Sequence, residues 1–407
     1  MFSRSNILWF ILIAGAGIFV LLYLFNTLFP AVVSSQALKY FSAHQIESGR
    51  SYSEAARLAY ILSFLAQGVF LVWFVAGGKA VTLANWTDRW NRLYSMVLFT
   101  TVLWVLLQVI NLPFSFYSSF TLQHQWGYST QGLGGWCWDY FKGAGLDYLL
   151  TGLGALVFFY LTHRWSKQWW IFGAGVFSAW LVIQTFLWPV LIAPLFNKFV
   201  PAEDQTVVTM VRDIARRSGV PVGQVLIMDA SQRTTKANAY FAGLGRTKQI
   251  VLYDNLLRDY SPDEVKAVVA HEIAHWRQGH IVKGLLLGII GSFVGWALIF
   301  LLLKDIFPRY RPWPVYAWAQ VLLAFSLISF WSNPIQNYYS RQMEAEADAV
   351  SVMLTNDVGA AVQLQIDLAA KSSADVQPPS FIEWFSYSHP STLERISNLE
   401  QIRGMEK

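Results

Sequence analysis

The sequence contains a single cysteine, Cys137, in a chain of 407 residues. An intrachain disulfide is therefore excluded, and so is a metal site made of several cysteine thiolates. Charged residues are scarce as well, at 14% of the chain, whereas soluble domains carry about a quarter. Such a low charge content predicts a protein that lies largely within a lipid bilayer.

Basic residues form no cluster either, although the net charge is +5. They are scattered through loops, with no solvent-facing aromatic residues between them, so nucleic acid is not a predicted partner. Internal repeats and low-complexity segments are also absent from the sequence. The stretch closest in composition to a disordered linker is "KSSADVQPPS", at residues 371–380.

Long apolar runs are abundant, and 55% of the residues are hydrophobic. The 19 Trp and 18 Tyr residues fit this pattern, because both side chains favour the membrane interface. About 20 helical residues cross the hydrocarbon core. By that criterion we predict seven transmembrane helices, at residues 7–29, 60–82, 94–114, 148–165, 169–193, 284–303 and 315–335. The first is interpreted as a retained span rather than a signal peptide; the fourth is the weakest, with a re-entrant segment as the alternative.

The predicted spans divide the chain into four parts. Residues 1–196 are an N-terminal transmembrane region of about five spans, and residues 284–335 are a two-span hairpin. Residues 197–283 and 336–407 have the patterning of soluble protein. Because the chain crosses the membrane twice between them, these two parts lie on the same side and can build one site. The predicted fold is mainly α and polytopic, with a small α+β domain outside the membrane.

The distribution of lysine and arginine predicts the orientation, since these residues favour short cytoplasmic loops. The amino-terminal side carries Arg4, Lys79, Arg89, Arg92, Arg164, Lys167, Lys304, Arg309 and Arg311. The short loops of the other side carry Lys39, Arg50, Arg57 and Lys142. The bias predicts a cytoplasmic amino terminus and places the two polar parts on the outer side.

A metal-binding pattern follows a predicted helix start in "SPDEVKAVVAHEIAH". Ser261 and Glu264 form a capping box, so a helix is expected to begin near residue 261. His271 and His275 are one turn apart on one face of that helix, where both imidazoles can bind one zinc ion. Glu272 between them can act as the general base without binding the metal. This is the HExxH arrangement of zinc proteases.

A catalytic zinc needs a third protein ligand. The pattern HExxHxxGxxH fails, because Gln278 and Ile281 occupy the required Gly and His positions. His280 is one position before the histidine that this pattern requires. On a continuous helix its side chain would be on the far side from His271. We therefore look for the third ligand in a later helix.

The stretch "SRQMEAEADAV", at residues 340–350, supplies this ligand. Arg341, Glu344 and Asp348 are spaced three and four residues apart and form one stripe on a helix, while Glu346 faces away from it. We predict Glu344 as the ligand, Asp348 as the carboxylate that orients a histidine ligand, and Arg341 as a balancing charge.

The two ligand helices are expected to continue into the membrane. The helix from residue 261 should run directly into the span at 284–303, and the span at 315–335 should run directly into the helix with Glu344. The glycines at 284, 288, 291 and 295 permit close helix packing along the first of these spans.

These motifs resemble those of the M48 family of membrane zinc metalloproteases, in particular its Ste24 type, also called type 1 CAAX prenyl protease. The stretches that are similar are "HEIAHW", "SRQMEAEAD", "PLFNKF", "MDASQRTTKANAYFAGLGRTKQIVLYDNLL", "HPSTLERI" and the region from "LPFSFY" to "HQWGYSTQ". The resemblance spans nearly the whole chain. It implies seven helices around a chamber and a zinc-protease domain of the gluzincin-like type.

The resemblance also implies roles for single residues. It assigns one Zn²⁺ per chain to His271, His275 and Glu344, and the general base to Glu272. Asp348 corresponds to the family's outer-sphere aspartate. His389 corresponds to the histidine that steadies the oxyanion, and Arg395 to the arginine beside it.

A substrate-binding element is predicted in the sequence before the HExxH helix. "NAYFAG" and "QIVLY" indicate two strands joined by the turn "GLGRTK". An exposed strand edge there could pair with an extended peptide, which makes Asn238, Ala239 and Tyr240 the candidate substrate-binding residues. A hairpin that only packs on the ligand helix is the alternative.

The predicted function is an integral-membrane zinc endopeptidase, in which Glu272 takes a proton from a zinc-activated water. Its substrates are expected to be CAAX-type C-terminal peptides, with or without a lipid, or misfolded membrane-associated proteins. It is expected to work as a monomer in a bacterial inner membrane or an endoplasmic reticulum membrane. The alternatives are an intramembrane-cleaving site-2-type protease and a non-enzymatic transporter or scaffold with an incidental motif.

Overall fold

The structure is a computed structural model that describes residues 4–242, 248–307 and 312–405. The predicted turn "GLGRTK" falls almost entirely outside these residues, as do Arg309 and Arg311 of the orientation argument. The amino-terminal helices are α1 (Arg4–Leu28), α2 (Ala37–Tyr40), α3 (Ala43–Ala76), α4 (Lys79–Thr87), α5 (Arg92–Phe116), α6 (Leu122–Gln125), α7 (Leu133–Arg164) and α8 (Trp169–Leu187).

The second half of the chain adds four strands and eight further helices within the described ranges. The strands are β1 (Phe199–Pro201), β2 (Gln224–Met228), β3 (Ala239–Ala242) and β4 (Gln249–Tyr253). The helices are α9 (Gln205–Ser218), α10 (Asp254–Asp259), α11 (Pro262–Arg277), α12 (His280–Leu303), α13 (Ala317–Thr355), α14 (Val358–Ser372), α15 (Ser380–Ser386) and α16 (Thr392–Met405).

Six helical segments in the described part of the chain are long and apolar enough to cross a membrane. They are Ser5–Leu28, Ala43–Ala76, Arg92–Gln125, Leu133–Arg164, Trp169–Leu195 and His280–Leu303. Two of them extend a regular helix through a π-helical turn, at Tyr117–Thr121 and at Trp188–Ile192. The protein is therefore a mainly helical, multi-pass membrane protein, as predicted.

The predicted spans differ from the observed helices in number and length. The segment predicted at 315–335 is helical in α13 but is not among the six, because serines, Gln320 and Asn333 lower its apolar content. The segment predicted at 148–165 is only the second half of α7, a helix of 32 residues. α3 likewise begins well before the predicted residue 60, at a capping box formed by Ser42 and Gln45.

The strands form one sheet in the order β1-β2-β4-β3. β1 pairs antiparallel with β2, β2 pairs parallel with β4, and β3 pairs antiparallel with β4. The hairpin predicted from "NAYFAG" and "QIVLY" is confirmed. Its first strand, β3, is an edge strand of the sheet and packs beside α11.

α11 lies between this sheet and α13. Val265, Val269 and Ile273 follow each other at four-residue spacing and form one buried face of α11. They share a core with Ala347 and Val350 of α13 and with residues of the sheet. This packing fixes α11 against α13, the two helices that carry the predicted metal ligands.

The two ligand helices enter the membrane region in different ways. α13 runs without interruption from the apolar segment to beyond Glu344, as predicted. The continuous helix predicted from 261 into the span at 284–303 is wrong, because α11 ends at Arg277 and α12 begins at His280. Gly279 between them has a φ of 67°, a left-handed conformation that glycine adopts at little cost.

The stretch at 371–380, which resembles a linker in composition, is fixed in the fold. Asp375 and Val376 are buried between α14 and α15. The Asp375 carboxylate accepts a hydrogen bond from Arg57 of α3 at 2.7 Å, and Arg57 also donates to Tyr387 at 2.8 Å. The stretch therefore joins the membrane region to the part of the chain after α13.

Candidate metal centre

The helix that carries both histidines begins as the sequence predicts. The main-chain N–H of Glu264 donates to Ser261 at 3.4 Å, and the N–H of Ser261 donates to the Glu264 carboxylate at 2.8 Å. This capping box sets the start of α11, and His271 and His275 then project from the same face one turn apart.

Three side chains meet between α11 and α13. The Nε2 atoms of His271 and His275 lie 3.1 Å apart. The Glu344 carboxylate lies 3.2 Å from His271 Nε2 and 3.5 Å from His275 Nε2. All three potential ligand atoms lie within 4.8 Å of one another. Two imidazoles and one carboxylate are a usual donor set for catalytic zinc, and Glu344 Oε2 is buried without a hydrogen-bond donor. The residues therefore fit a metal ion.

A second carboxylate orients the first histidine. Asp348 Oδ1 lies 2.9 Å from His271 Nδ1, on the opposite side of the ring from Glu344. Asp348 also accepts two hydrogen bonds from Arg395, from Nε at 2.7 Å and from Nη2 at 2.6 Å. Because Asp348 contacts Nδ1, the other ring nitrogen of His271, Nε2, faces Glu344. Asp348 and Arg395 therefore lie where residues that orient a metal-binding histidine are expected.

The second histidine has a partner that the sequence prediction set aside. His280 is 5% exposed, and its Nδ1 lies 2.9 Å from His275 Nδ1. The other ring nitrogen of His280, Nε2, lies 3.1 Å from the Glu346 carboxylate, which Lys283 also contacts at 3.4 Å. Glu346 faces away from the metal group, as predicted, but it completes a chain of contacts that leads to His275.

These contacts are compatible with one arrangement of protons when His275 Nε2 binds a metal ion. A metal ion on His275 Nε2 requires the proton of that ring to be on Nδ1. His275 then donates to His280 Nδ1, and His280 carries its own proton on Nε2 and donates to Glu346. In this series of hydrogen bonds, each ring nitrogen is either a donor or an acceptor, and the Glu346 carboxylate is the final acceptor. His275 is thereby held in the tautomer that can bind a metal ion through Nε2.

The break at Gly279 explains why His280 was misplaced. On a continuous helix, His280 would lie roughly opposite His271. The left-handed residue redirects the chain, so that the first residue of α12 points back to His275. A glycine directly after the last turn of a helix is a common C-terminal signal, and Gly279 is the feature from which the break could have been predicted.

His389 and Arg341 differ in how well their expected positions agree with the structure. His389 Nε2 lies 3.4 Å from the Glu344 carboxylate, beside the metal group. Arg341 donates instead to the main-chain carbonyls of Glu383 and Tyr387, at 2.9 and 2.8 Å. Among the described residues it has no carboxylate within 4.0 Å. The charge-balancing role of Arg341 stays a prediction, and its contacts secure the segment that leads to His389.

The pKa values show how strongly these groups interact. Burial opposes charge on His271, but the close contacts with the Asp348 and Glu344 carboxylates outweigh it and raise the pKa of His271 to about 10. Burial would raise the pKa of Glu344, yet contact with His271 lowers it to about 2. Burial, followed by the charge on His271, lowers the pKa of His275 to about 4. A metal ion would take the place of the proton on His271.

Glu272 lies beside the metal group in an enclosed position. Burial raises its pKa to about 7, against the opposing charge of His271, and the Glu344 carboxylate adds to the increase. Glu272 and His271 line a cavity of about 180 Å³, together with His389 and Arg395. A carboxylate with a pKa near neutrality can both accept and return a proton.

The edge strand reaches the same cavity. Asn238 and Ala239 line it, whereas Tyr240 is directed to the other face of the sheet and packs against Met228 and Val251. The carbonyl of Asn238 accepts the N–H of Tyr253 at 3.0 Å. Pairing alternates along an antiparallel ladder, so the N–H and C=O of Ala239 point to the free edge. The Ala239 N–H is bound by the side chain of Asn238 at 2.9 Å.

Two described features of the site lie beyond what the motifs indicate. The first is the His280–Glu346 pair. The second is the wall of the cavity formed by Gln365 and Leu368 of α14, a helix that carries no recognisable motif. The packing of α14, mainly against α11 and α16, brings it to the site.

The fold and the site together define an integral-membrane metallopeptidase. The sequence profile of Peptidase family M48 matches residues 201–403, and the profile of the CAAX prenyl protease N-terminal region, described as five membrane helices, matches residues 33–198. The chain belongs to peptidase family M48, and it is of the Ste24 type.

Similar proteins cover most of the chain. An uncharacterized metalloprotease of Bacillus subtilis, YhfN, is 27% identical over 95% of this chain and 94% of its own length. CAAX prenyl protease 1 of Saccharomyces cerevisiae is 28% identical over 74% of this chain and 70% of its own length. A crystal structure of S. mikatae Ste24p has a TM-score of 0.84 at 23% identity, covering 98% of this chain and all of the other. The last comparison concerns the fold alone.

Proposed function

We propose that this peptidase is a zinc-dependent endopeptidase that holds one Zn²⁺ per chain on His271, His275 and Glu344. The observation that carries the proposal is the close grouping of these three ligand atoms, within 4.8 Å, beside Glu272 in the wall of the same cavity. Bound zinc would supply Lewis-acid activation of the attacking water and of the scissile carbonyl.

The residues around the metal group complete the reaction. Glu272 takes the proton of the attacking water and returns it to the nitrogen of the leaving amine. His389 donates a hydrogen bond to the oxyanion that develops on the carbonyl oxygen. Asp348 and Arg395 hold His271 in place, and His280 and Glu346 hold His275.

We infer that the substrate is a peptide or protein segment bound in extended form along β3. The free edge at Ala239 supports this, because main-chain pairing needs little of the peptide's sequence. Asn238 would exchange its hydrogen bond with Ala239 for one with the substrate, and Tyr240 would support the strand from the other face.

The names of the similar proteins suggest a substrate class. Several are named CAAX prenyl protease 1, and we propose CAAX-type C-terminal peptides, lipidated or not, as the substrates of this chain. Misfolded membrane-associated proteins remain the second proposed class. We further propose that the enzyme acts as a monomer, in an inner membrane if the host is bacterial and in the endoplasmic reticulum membrane if it is eukaryotic.

The position of the metal group argues against an intramembrane-cleaving protease. His271 and His275 are on α11, which is not one of the six spanning segments, and the nearest such segment starts at His280. A transporter or scaffold with an incidental motif would have no use for Glu272 in the cavity beside the metal ligands.

The test of the proposed function is the substitution Glu272→Gln. The amide of the variant cannot accept the proton of the attacking water. The zinc-dependent hydrolysis of a peptide substrate should therefore fall by at least about 100-fold, while the variant still binds zinc. Cleavage rate and zinc content would be measured on the same purified sample, and a chelator should abolish wild-type cleavage. Normal cleavage by the variant would refute the mechanism.

A further inference from the structure

A second cavity lies inside the membrane region and shares no residue with the one beside the metal group. Its volume is about 150 Å³, and residues of α3, α5, α7 and α13 form its wall. The polar residues of this wall are Gln67, Thr100, Gln108, Asn111, Asp147 and Thr151. Polar side chains are costly within a membrane, and a group of them on three spanning segments indicates a binding site.

The wall contains one carboxylate, Asp147, and no basic residue balances it. In the described ranges, no basic side chain lies within 4.0 Å of its oxygen atoms. Lys142, the basic residue nearest to it along the chain, pairs with Asp139 instead, at 2.7 Å. Carboxylates within membrane helices are usually paired with a positive group. The described part of the chain supplies no such group to Asp147.

Neutral side chains hold one oxygen of Asp147 and leave the other available. Oδ2 accepts hydrogen bonds from Trp104 Nε1 at 2.7 Å and from Gln108 Nε2 at 3.0 Å. The Gln108 amide is fixed in turn, because its Oε1 accepts from the Tyr140 hydroxyl at 3.1 Å. Oδ1 accepts no hydrogen bond from the residues that the structure describes. The carboxylate is therefore oriented, and its charge is not cancelled.

Two threonine hydroxyls of the same wall also lack a partner in the described part of the chain. Thr100 is 3% exposed, and its Oγ1 makes no hydrogen bond. Thr151 follows Asp147 by one turn on the same face of α7, and its hydroxyl makes none either. Thr101 shows the ordinary arrangement, since its hydroxyl donates to the Val97 carbonyl at 2.8 Å. A buried hydroxyl without a partner indicates a bound water or ion.

The available atoms are all oxygens, which are the ligands of hard cations. They are Asp147 Oδ1, the two threonine hydroxyls and the amide oxygen of Gln67, whose nitrogen donates to Ser63 and Asn111. One carboxylate balances one positive charge. Mg²⁺ demands near-ideal octahedral geometry, and Ca²⁺ takes six to eight oxygen ligands. The oxygen set and its single charge therefore match a small monovalent cation.

We propose that this cavity is a binding site for one small monovalent cation, such as Na⁺. Asp147 and Thr151 of α7 and Thr100 of α5 are the protein ligands, and water completes the coordination. Gln67 brings in α3, so a bound ion would join three membrane helices. The site shares no residue with the proposed active site, and the inference does not depend on the proposed peptidase function.

The experiment measures the binding of radioactive Na⁺ to the purified full-length enzyme, with N-methyl-D-glucamine chloride keeping the ionic strength constant. Wild type should bind one Na⁺ per chain in a saturable manner. Asp147→Asn removes the charge with little change of shape and should weaken the affinity by at least about 10-fold. Glu203→Gln removes the same charge at an exposed residue outside the membrane region and should bind Na⁺ as the wild type does.

Two adjacent threonines provide a second matched comparison. Thr100→Val removes the hydroxyl that has no partner and should weaken Na⁺ binding by about 3- to 10-fold. Thr101→Val removes a hydroxyl that is bound to Val97 and should leave the affinity unchanged. Both changes keep the volume of the side chain, so this pair still decides the question if Asp147→Asn fails to fold.

Thermal unfolding provides a readout that needs no tracer. A ligand that binds only the folded protein raises its unfolding temperature. Replacing N-methyl-D-glucamine by Na⁺ should therefore raise the unfolding temperature of wild type and Glu203→Gln, and should leave that of Asp147→Asn unchanged.

The site is refuted if wild type shows no saturable Na⁺ binding, in which case the cavity holds water alone. It is also refuted if Asp147→Asn or Thr100→Val binds Na⁺ as tightly as its control variant. Neither result involves cleavage, so the proposed peptidase function would stand in both cases.

Discussion

At the scale of single residues, each proposed histidine ligand has a carboxylate behind it, but the two connections differ. His271 contacts Asp348 directly, whereas His275 reaches Glu346 through His280. Outer partners of this kind fix ring orientation and raise ligand basicity. Because the chain through His280 crosses from α11 to α12 and α13, it depends on how these three helices are placed.

Replacing His280 tests the longer connection. His280→Phe keeps a ring of similar size but removes the acceptor for His275 Nδ1, so zinc affinity should fall by about 10- to 100-fold. The measurement is the zinc retained in competition with a chelator. His44→Phe, at an exposed histidine, is the control and should bind zinc as the wild type does. Equal affinities in the two variants would mean that His275 does not need this partner.

At the scale of secondary-structure elements, α1 packs against α13 through a small residue and a large one. The ring of Trp331 lies over Gly15, where an added Cβ atom would collide with it, and Trp331 Nε1 donates to the carbonyl of Leu12 at 3.1 Å. Gly17, two residues further along α1, has nothing within 4 Å of the same added atom. The two glycines therefore allow a matched comparison.

Gly15→Ala should destabilise the protein by about 1–3 kcal/mol, the usual result of overpacking an interior contact. Gly17→Ala introduces the same atom in open space and should change stability little. Thermal unfolding of both variants in the same detergent measures the difference. If the two variants unfold at the same temperature, the contact between α1 and Trp331 is not a determinant of stability.

The sequence predicted elements well where the signal is local. The start of α11 follows from Ser261 and Glu264, the hairpin from its apolar pattern, and the ligand stripe from the spacing of Glu344 and Asp348. It failed where the outcome depends on residues distant in the chain. No local pattern indicates that Asp375 meets Arg57 of α3, or that the first residue after Gly279 returns to His275.

At the scale of the whole molecule, one buried ion pair joins the membrane region to the proposed catalytic part. The side chains of Arg57 and Asp375 are 8% and 1% exposed. Arg57 also binds Tyr387, whose carbonyl accepts a hydrogen bond from Arg341, and His389 follows two residues later. The position of His389 therefore depends on a helix of the membrane region.

Asp375→Asn leaves Arg57 buried without its counter-charge. Removing one partner of a buried pair costs about 3–5 kcal/mol, so the variant should unfold at a clearly lower temperature. Asp213→Asn removes a pair with Arg216 whose side chains are 45% and 80% exposed, and it should have little effect. Similar unfolding temperatures for the two variants would show that the buried pair does not hold the two regions together.

The orientation in the membrane and the division of the chain at residues 196, 283 and 335 stay predictions. The excess of basic residues on the amino-terminal side places that side in the cytoplasm. Reporter domains fused at residues 5 and 400 should therefore report opposite sides of the membrane, with the first cytoplasmic. If both reporters were on the same side, the chain would cross the membrane an even number of times between residues 5 and 400. The predicted crossing of the membrane by α13 would then be contradicted.

The unbroken course of α13 limits where a membrane-anchored substrate can be cut. Between Trp331 and Glu344 this helix rises about 20 Å, and it continues through an interior proline, Pro334. The helix thus sets the height of the reacting bond, measured along α13, above the level of Trp331. An extended peptide needs about six residues to cover that height. A substrate whose anchor lies at the level of Trp331 would be cleaved only if at least that many residues separate its anchor from the bond.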